Sequence, residues 1–497
     1  MFKKILIANR GEIALRIIKA CNELNITAAV IYSDADETAL HVRLSDEAYN
    51  IGGPKADESY LNQEKIISLA KEINADAIHP GYGFLSENAQ FIEKVEEAGI
   101  KFIGPSSESV KLMGDKTSAR RLMAKNKVPI VPGTTKPITS IDDAKKSALE
   151  IGYPILLKAA GGGGGKGMRV VQSEAELEES FNLAKSESQK AFGRDDIYME
   201  KFLVNPKHIE VQIIADHHGN YRHLFERECS LQRRHQKIIE EAPSPSINEE
   251  DREKITTIAI NAAKACNYYN AGTIELLMDE DKSFYFLEMN TRVQVEHPVT
   301  EFISNIDIVK EQIKIAQDEK ISFKQGDIKI LGHAIECRIY AEDSLNNFAP
   351  SVGRITNHNV PHGIGIRIDT GINSNSEVSI YYDPILSKLI TFGRNRGEAI
   401  TRMTNALKNY LVTGVTTNIP FCKWIMEHDD FKNNKFNINF IGNEIDKYLQ
   451  EKREVKDITD DMLTSVIASA MLYNEKRNGR TYKNVVPEHN KWIVDHE

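Results

Sequence analysis

Glu288-Met289-Asn290-Thr291-Arg292-Val293-Gln294-Val295-Glu296 puts a charged or amide side chain on every second residue, with smaller or apolar residues between. In a strand, these five polar groups would share one face. Two carboxylates, two amides and a guanidinium are too varied for a solubilising surface and too polar for a core. The pattern points to a reaction surface, and an edge strand with a wet polar face is the plain alternative. A straight strand could not bring Glu288 and Glu296 to neighbouring reactants, because eight steps span about 26 Å. The strand is therefore expected to end at Asn290 or Thr291, followed by a turn that gathers Arg292, Gln294 and Glu296.

Immediately upstream, residues 273–279 and 284–290 read as two strands around Glu280-Asp281-Lys282-Ser283. Pairing Asp279 with Phe284 and counting outward sets Glu275 opposite Glu288. Facing carboxylates repel unless a cation or proton lies between them, and oxygen ligands so spaced suit Mg²⁺, with Asn290 extending the same face. Two solvated glutamates on an exposed ribbon are the alternative. Further upstream, the run from Gly161 to Gly165, containing Gly163, Gly164 and Gly165, lies between Lys158 and Lys166 and joins two apolar strand-like segments. Its backbone N–H groups could fold over phosphate, or it could be a bare linker. Gly167 follows Lys166, so this is not a Walker loop. The basic, amide-rich run from Cys229 to Lys237 could supply donors to a nucleotide, or form a solvated loop.

A chain of 497 residues suggests about three domains. A hydrophobic content of 41% with 27% charged residues fits a soluble globular protein, and no apolar run approaches the length of a membrane span. The net charge of -9 argues against nucleic acid as a partner. Five scattered cysteines without a Cys-x-x-Cys pair favour a reducing cytoplasm and argue against structural zinc. Arg227, Arg233 and Arg234 would activate Cys229 if it were a nucleophile, but a small buried thiol is the stronger reading.

The opening third alternates strand and helix signals, which predicts a parallel, doubly wound Rossmann-like sheet over 1–113. The turn after the first strand lacks Gly-x-Gly-x-x-Gly, so no dinucleotide fingerprint accompanies it. Linker helices and a small α+β lid are expected over 114–203, and a large mixed α+β region over 204–446. The charged tail, 447–497, is expected to carry an amphipathic helix over 460–477 and to act as a docking extension. The fold class is thus α/β with α+β.

Lys116, the stretch from Lys158 through Arg169, Met199-Glu-Lys-Phe202, Arg233-Arg-His-Gln-Lys237 with Glu240-Glu-Ala-Pro243, and the run from Glu288 to Pro298 together resemble biotin carboxylase, the ATP-grasp component of biotin-dependent carboxylases. The similarity extends from Ile5 to about residue 446 and includes Asn9-Arg-Gly-Glu-Ile13, His79-Pro-Gly-Tyr-Gly83 and Tyr382-Asp-Pro384. The resemblance implies that Lys116, Lys158, the glycine loop, His208, Gln232 and His235 hold the phosphates and ribose of ATP, with Glu200, Lys201 and Leu203 at the adenine. It implies Mg²⁺, with Mn²⁺ as an alternative and one or two ions, on Glu275, Glu288 and Asn290. Lys237, Arg292, Gln294, Val295 and Glu296 would cradle bicarbonate, with Glu296 as base. Tyr82, Gly83 and Arg338 would face the biotin ureido ring.

The 280–283 loop is about one residue longer than usual for the family. The chain contains no Met-Lys-Met biotinylation motif. Biotin is therefore expected on a separate carrier protein, with the carboxyltransferase on another chain, and the resemblance suggests a homodimer. Another ATP-grasp carboxylate–amine ligase and a non-catalytic scaffold are the alternatives. The final acceptor, whether acetyl-CoA, propionyl-CoA or pyruvate, is not encoded here.

Overall fold

The computed structural model describes residues 1–134, 136–159, 168–192, 196–454, 464 and 467–473. Two compact units are distinguished, Met1–Asn443 and Glu444–Glu497. The first opens with β1 (Lys4–Ile7), β2 (Thr27–Ser33), β3 (Glu47–Gly52), β4 (Ala77–His79) and β5 (Lys101–Phe102), all parallel, in the spatial order β3-β2-β1-β4-β5. β1 is apolar throughout because both of its faces are covered. Ile5 and Ile7 pack with Ile13, Ile17 and Cys21 of the helix Gly11–Glu23, whereas Leu6 packs with Phe91, Ile92 and Val95 on the opposite side. The order reverses between β1 and β4, so their following loops meet at a crevice beyond the carboxyl ends of the strands. Asn9 closes the loops together, its Nδ2 donating to Pro80 O at 2.6 Å and Tyr82 O at 2.7 Å.

The smaller layer comprises β6 (Ile155–Ala159), β7 (Met168–Val171) and β8 (Ile197–Lys201), antiparallel in the order β7-β6-β8. Ile155, Leu157 and Val171 pack against Ala144 and Ala148 of the helix Ile141–Ile151 and Leu177 and Phe181 of the helix Glu174–Phe192. A strap from Pro129 to Thr134 ties this layer to the rest of the unit. Lys201 N donates to Pro132 O at 2.8 Å and Thr134 N to Met199 O at 2.8 Å, while Phe286 N donates to Pro129 O at 2.7 Å. The glycine loop and Lys166 lie outside the described residues.

The main sheet has eight strands: β9 (Lys207–Ala215), β10 (Tyr221–Arg233), β11 (Gln236–Ala242), β12 (Asn270–Met278), β13 (Phe284–Asn290), β14 (His333–Tyr340), β15 (Ile366–Thr370) and β16 (Ile385–Gly393). Their order is β13-β12-β9-β10-β11-β14-β16-β15. Ile209, Val211, Ile213, Ile274 and Leu276 pack on the helix Glu249–Ala265. His208, Glu210, Gln212 and Glu275 are buried too, on the side where the polar site lies.

Glu275 does pair with Glu288, but the count that led there needs correction. Met278, not Asp279, stands opposite Phe284, and a register shift after Leu276↔Phe286 leaves Leu287 unpaired before Glu275↔Glu288. This bulge supplies the missing residue. β13 ends at Asn290, and Glu296 immediately precedes the helix His297–Ser304.

The helix expected over 460–477 falls largely outside the described residues, although 467–473 are helical. Among the described residues, no helix is long and apolar enough to cross a membrane.

Candidate active site

The open end of the β12–β13 hairpin carries the first group of polar side chains. Glu275 Oε1 accepts from Asn290 Nδ2 at 2.8 Å and Gln294 Nε2 at 2.9 Å, and its Oε2 lies 3.1 Å from His208 Nε2. Glu288 is its cross-strand partner. Two carboxylates and the Asn290 amide oxygen form a hard donor set that fits Mg²⁺. Burial would raise the Glu275 carboxyl, but Lys237 and His208 hold it well below the usual carboxylate range.

Lys237 sits at the centre of the second group. Its Nζ lies 2.6 Å from Glu210 Oε2, 3.0 Å from Glu275 Oε1 and 2.6 Å from Glu296 Oε1. Burial opposes its charge, yet these carboxylates hold the ammonium well above its ordinary range. Glu296 is buried as well, and Lys237 and Arg338 nevertheless keep it far more acidic than a free glutamate. Arg338 Nη2 donates to Glu296 Oε2 at 2.9 Å and its Nε to Glu240 Oε1 at 2.6 Å.

The turn after β13 completes the cradle. Arg292 Nε donates to Glu87 Oε2 at 2.9 Å and its Nη2 to Asn290 Oδ1 at 2.9 Å; Thr291 N donates to Glu87 Oε1 at 2.9 Å. The Val295 carbonyl accepts from Lys388 Nζ at 2.8 Å. Lys388 is fully buried and also lies 3.1 Å from Glu12 Oε2. Glu12 in turn accepts from the Tyr82 hydroxyl. Through this relay, Tyr82, beside Gly83 in the β1/β4 crevice, joins the same network as Glu296. Gly83 has φ +69, a left-handed conformation that suits glycine.

On the small layer, Lys158 is ion-paired with Glu200, which also accepts from Arg120 Nη1 at 3.2 Å. Lys201 Nζ donates to Gly152 O at 3.1 Å and Tyr153 O at 2.8 Å, and Leu203 is buried. Gln232 Nε2 lies 3.5 Å from His208 Nδ1. His235 is exposed in the two-residue turn between β10 and β11, where Arg234 and His235 have φ of +50 and +66. Lys116 begins the helix Lys116–Lys125; its side chain, like Gly163, Gly164 and Gly165, lies outside the described residues. The Cys229 thiol is buried and pushed well above its ordinary range by burial and by Glu210, which suits an inert core thiol.

Three family models match the chain: Biotin carboxylase, N-terminal domain over 1–110; Carbamoyl-phosphate synthase L chain, ATP binding domain over 115–324; and Biotin carboxylase C-terminal domain over 336–443. Biotin carboxylase of Haemophilus influenzae is 51% identical over 442 residues, covering 89% of this chain and 98% of the relative. This chain belongs to the biotin carboxylase family. Similarity to a second biotin carboxylase relative extends further along the sequence: a pyruvate carboxylase subunit of Methanothermobacter thermautotrophicus is 46% identical over 492 residues, covering 96% of this chain and 100% of that one. The biotin carboxylase domain dimer of the 2-oxoglutarate carboxylase of Hydrogenobacter thermophilus, solved with MgADP, ADP and bicarbonate, matches with a TM-score of 0.82 at 48% identity, covering 89% of this chain and 98% of that one.

The biotin carboxylase site includes groups that sequence reasoning did not single out as functional: Glu12, Glu87, Arg227 and Lys388. Lys388 alone leaves a signal, a charge within the otherwise apolar run Ile385-Leu-Ser-Lys-Leu-Ile390.

Proposed function

We propose that this chain carboxylates biotin borne on a separate carrier protein, using bicarbonate and ATP, as the biotin carboxylase component of a larger carboxylase. The observation that carries the reading is Glu296, an ionised carboxylate between Lys237 and Arg338 and beside Arg292 and Gln294. That is a base set within an anion cradle.

Lys237, Arg292 and Gln294 can donate to the oxyanion of bicarbonate, leaving its hydroxyl for Glu296. While Lys237 rests on it, Glu296 is a weak base. Binding of bicarbonate would draw Lys237 onto the new anion and make Glu296 more basic where the proton must leave. The deprotonated oxygen then attacks the γ-phosphate, forming carboxyphosphate and ADP. A divalent cation held by Glu275, Glu288 and Asn290 would neutralise charge on the phosphates. Lys116, Lys158, His208, Gln232, His235 and the 163–165 glycines are assigned to phosphates and ribose, and Glu200, Lys201 and Leu203 to adenine. Carboxyphosphate gives CO₂ and phosphate; phosphate takes the ureido proton, and Arg338 stabilises the resulting enolate beside Tyr82 and Gly83. A closed lid would exclude water and retain CO₂.

We assign these roles to a Rossmann-like domain over 1–113, a lid region over 114–203 and a larger domain over 204–446, with 447–497 as a docking extension. We further propose a cytoplasmic homodimer with carrier and carboxyltransferase on other chains. The test is ATP hydrolysis by the purified chain with Mg²⁺. Turnover that requires bicarbonate and rises with free biotin is expected; equal turnover without them would exclude this function.

A further inference from the structure

Arg227 lies in β10 inside the charged triplet Glu226-Arg227-Glu228, yet its side chain is completely buried. A guanidinium has five N–H donors and no acceptor. All five are used. Nε donates to Glu210 Oε1; Nη1 donates to Gln212 Oε1 at 2.8 Å and Thr300 Oγ1 at 2.9 Å; Nη2 donates to Thr273 Oγ1 at 3.1 Å and Gln294 Oε1 at 2.5 Å. Burial disfavours the charge, but Glu210 and Glu296 keep the guanidinium protonated.

The contact with Gln294 removes an ambiguity inherent in an amide. Either end of the group could face a neutral neighbour, but only its carbonyl oxygen can face an arginine. The Gln294 NH₂ must therefore point the other way, where one N–H donates to Glu275 Oε1 at 2.9 Å. The other N–H remains for the substrate. Gln212, on the same arginine, is arranged alike but spends its Nε2 on the Gly272 and Ile213 carbonyls, at 2.9 Å and 3.2 Å. Of the two amides held by Arg227, Gln294 is the one that turns its donor end toward Glu275 and the cradle.

We propose that Arg227 is a positioning residue for substrate polarity: by fixing the Gln294 amide, it makes that side of the cradle a donor only. The inference rests on the bicarbonate reading above. Bicarbonate has two oxygens that share its charge and one that carries the proton. With Lys237, Arg292 and Gln294 all donating, the hydroxyl has one acceptor to find, Glu296. If the amide could flip, its carbonyl would compete for that hydroxyl and turn the proton away from the base. Arg227 thereby selects a planar oxyanion with one protonated oxygen and sets which oxygen is protonated at Glu296.

The experiment measures bicarbonate-dependent ATP hydrolysis by the full chain and its Arg227→Lys, Gln294→Ala, double and Gln294→Glu variants. Arg227→Lys should raise the bicarbonate KM about tenfold to a hundredfold while moving the ATP KM by no more than about twofold. Added to Gln294→Ala, it should raise the bicarbonate KM by no more than about another twofold, because both changes remove one interaction. Gln294→Glu tests the orientation even if Arg227→Lys does not fold. Its carboxylate would satisfy Arg227 but turn an acceptor toward Glu275 and the substrate, and bicarbonate saturation should be lost.

The inference is overturned if the ATP and bicarbonate KM values rise together in Arg227→Lys, if the two changes are fully additive, or if Gln294→Glu keeps the parent bicarbonate KM. Bicarbonate-independent hydrolysis by the unmodified chain would instead overturn the functional reading, and the inference with it.

Discussion

Arg338 Nη2 lies 2.9 Å from Glu296 Oε2, so the group assigned to biotin and the base assigned to bicarbonate are in direct contact. One guanidinium thus borders both halves of the proposed reaction. Its two roles are separable, because carboxyphosphate formation needs Glu296 ionised, while the biotin step needs the positive charge itself.

Arg338→Gln should lower biotin carboxylation about a hundredfold or more while reducing bicarbonate-dependent ATP hydrolysis less than about tenfold. Parallel assays of labelled carboxybiotin and ADP release will check this. Equal loss of both activities would count against the assignment.

Glu296→Gln keeps the shape of the side chain but cannot take a proton. Bicarbonate-dependent ADP release should fall by about 10²-fold to 10⁴-fold. A variant that folds normally by circular dichroism and retains this activity would place the base elsewhere.

Glu240 holds Arg338 from behind. Burial pushes its carboxyl up to about 7, against the pull of Arg338. Its ionised form, which grips Arg338 more firmly, therefore predominates above that pH. Biotin carboxylation should rise along a limb near pH 7 that vanishes in Glu240→Gln. Stability runs the other way: a carboxyl raised on folding contributes stability that is fully present below its ordinary value of 4.5 and lost as pH rises through about 7. Above pH 7, Glu240→Gln should be at least as resistant to urea as the parent, and a clear loss would contradict the account.

Glu301 behaves oppositely. Burial would raise its carboxyl, but Arg16 and Arg367, each 2.7 Å away, bring it down to about 2. Its contribution to stability is present above its ordinary value of 4.5 and is lost as pH falls through about 2. Glu301→Gln should cost about 3 kcal/mol at pH 7, because it leaves two arginines facing a neutral amide. Urea titrations should show the gap closing between pH 4.5 and 2, the interval between the two values. A cost independent of pH would point to packing instead of charge.

The doubly wound opening was legible because β1, β2 and β4 are short apolar runs spaced by helical periodicity. The break after Asn290 followed from distance alone. The Glu275–Glu288 pair was reached with Asp279 opposite Phe284, a start one residue out, and the bulge at Leu287 offset the error. Alternation carries no mark of a bulge. Arg227 was hidden for a different reason: Glu226-Arg227-Glu228 looks like solvated surface until β9, β12 and the helix His297–Ser304 supply its acceptors. Glu12 and Lys388 come from chain segments hundreds of residues apart and meet only across the fold. Such contacts leave no local pattern.

The central claim is that bicarbonate carbon is transferred to biotin at the expense of ATP, and the most direct test follows the carbon. The chain should be incubated with Mg²⁺, ATP, labelled bicarbonate and free biotin, with acid-labile carboxybiotin and ADP measured together. The account predicts labelled carboxybiotin that requires every component and is lost in Glu296→Gln. ADP formation with no label on biotin at saturating substrates, or labelling that persists without ATP, would contradict it.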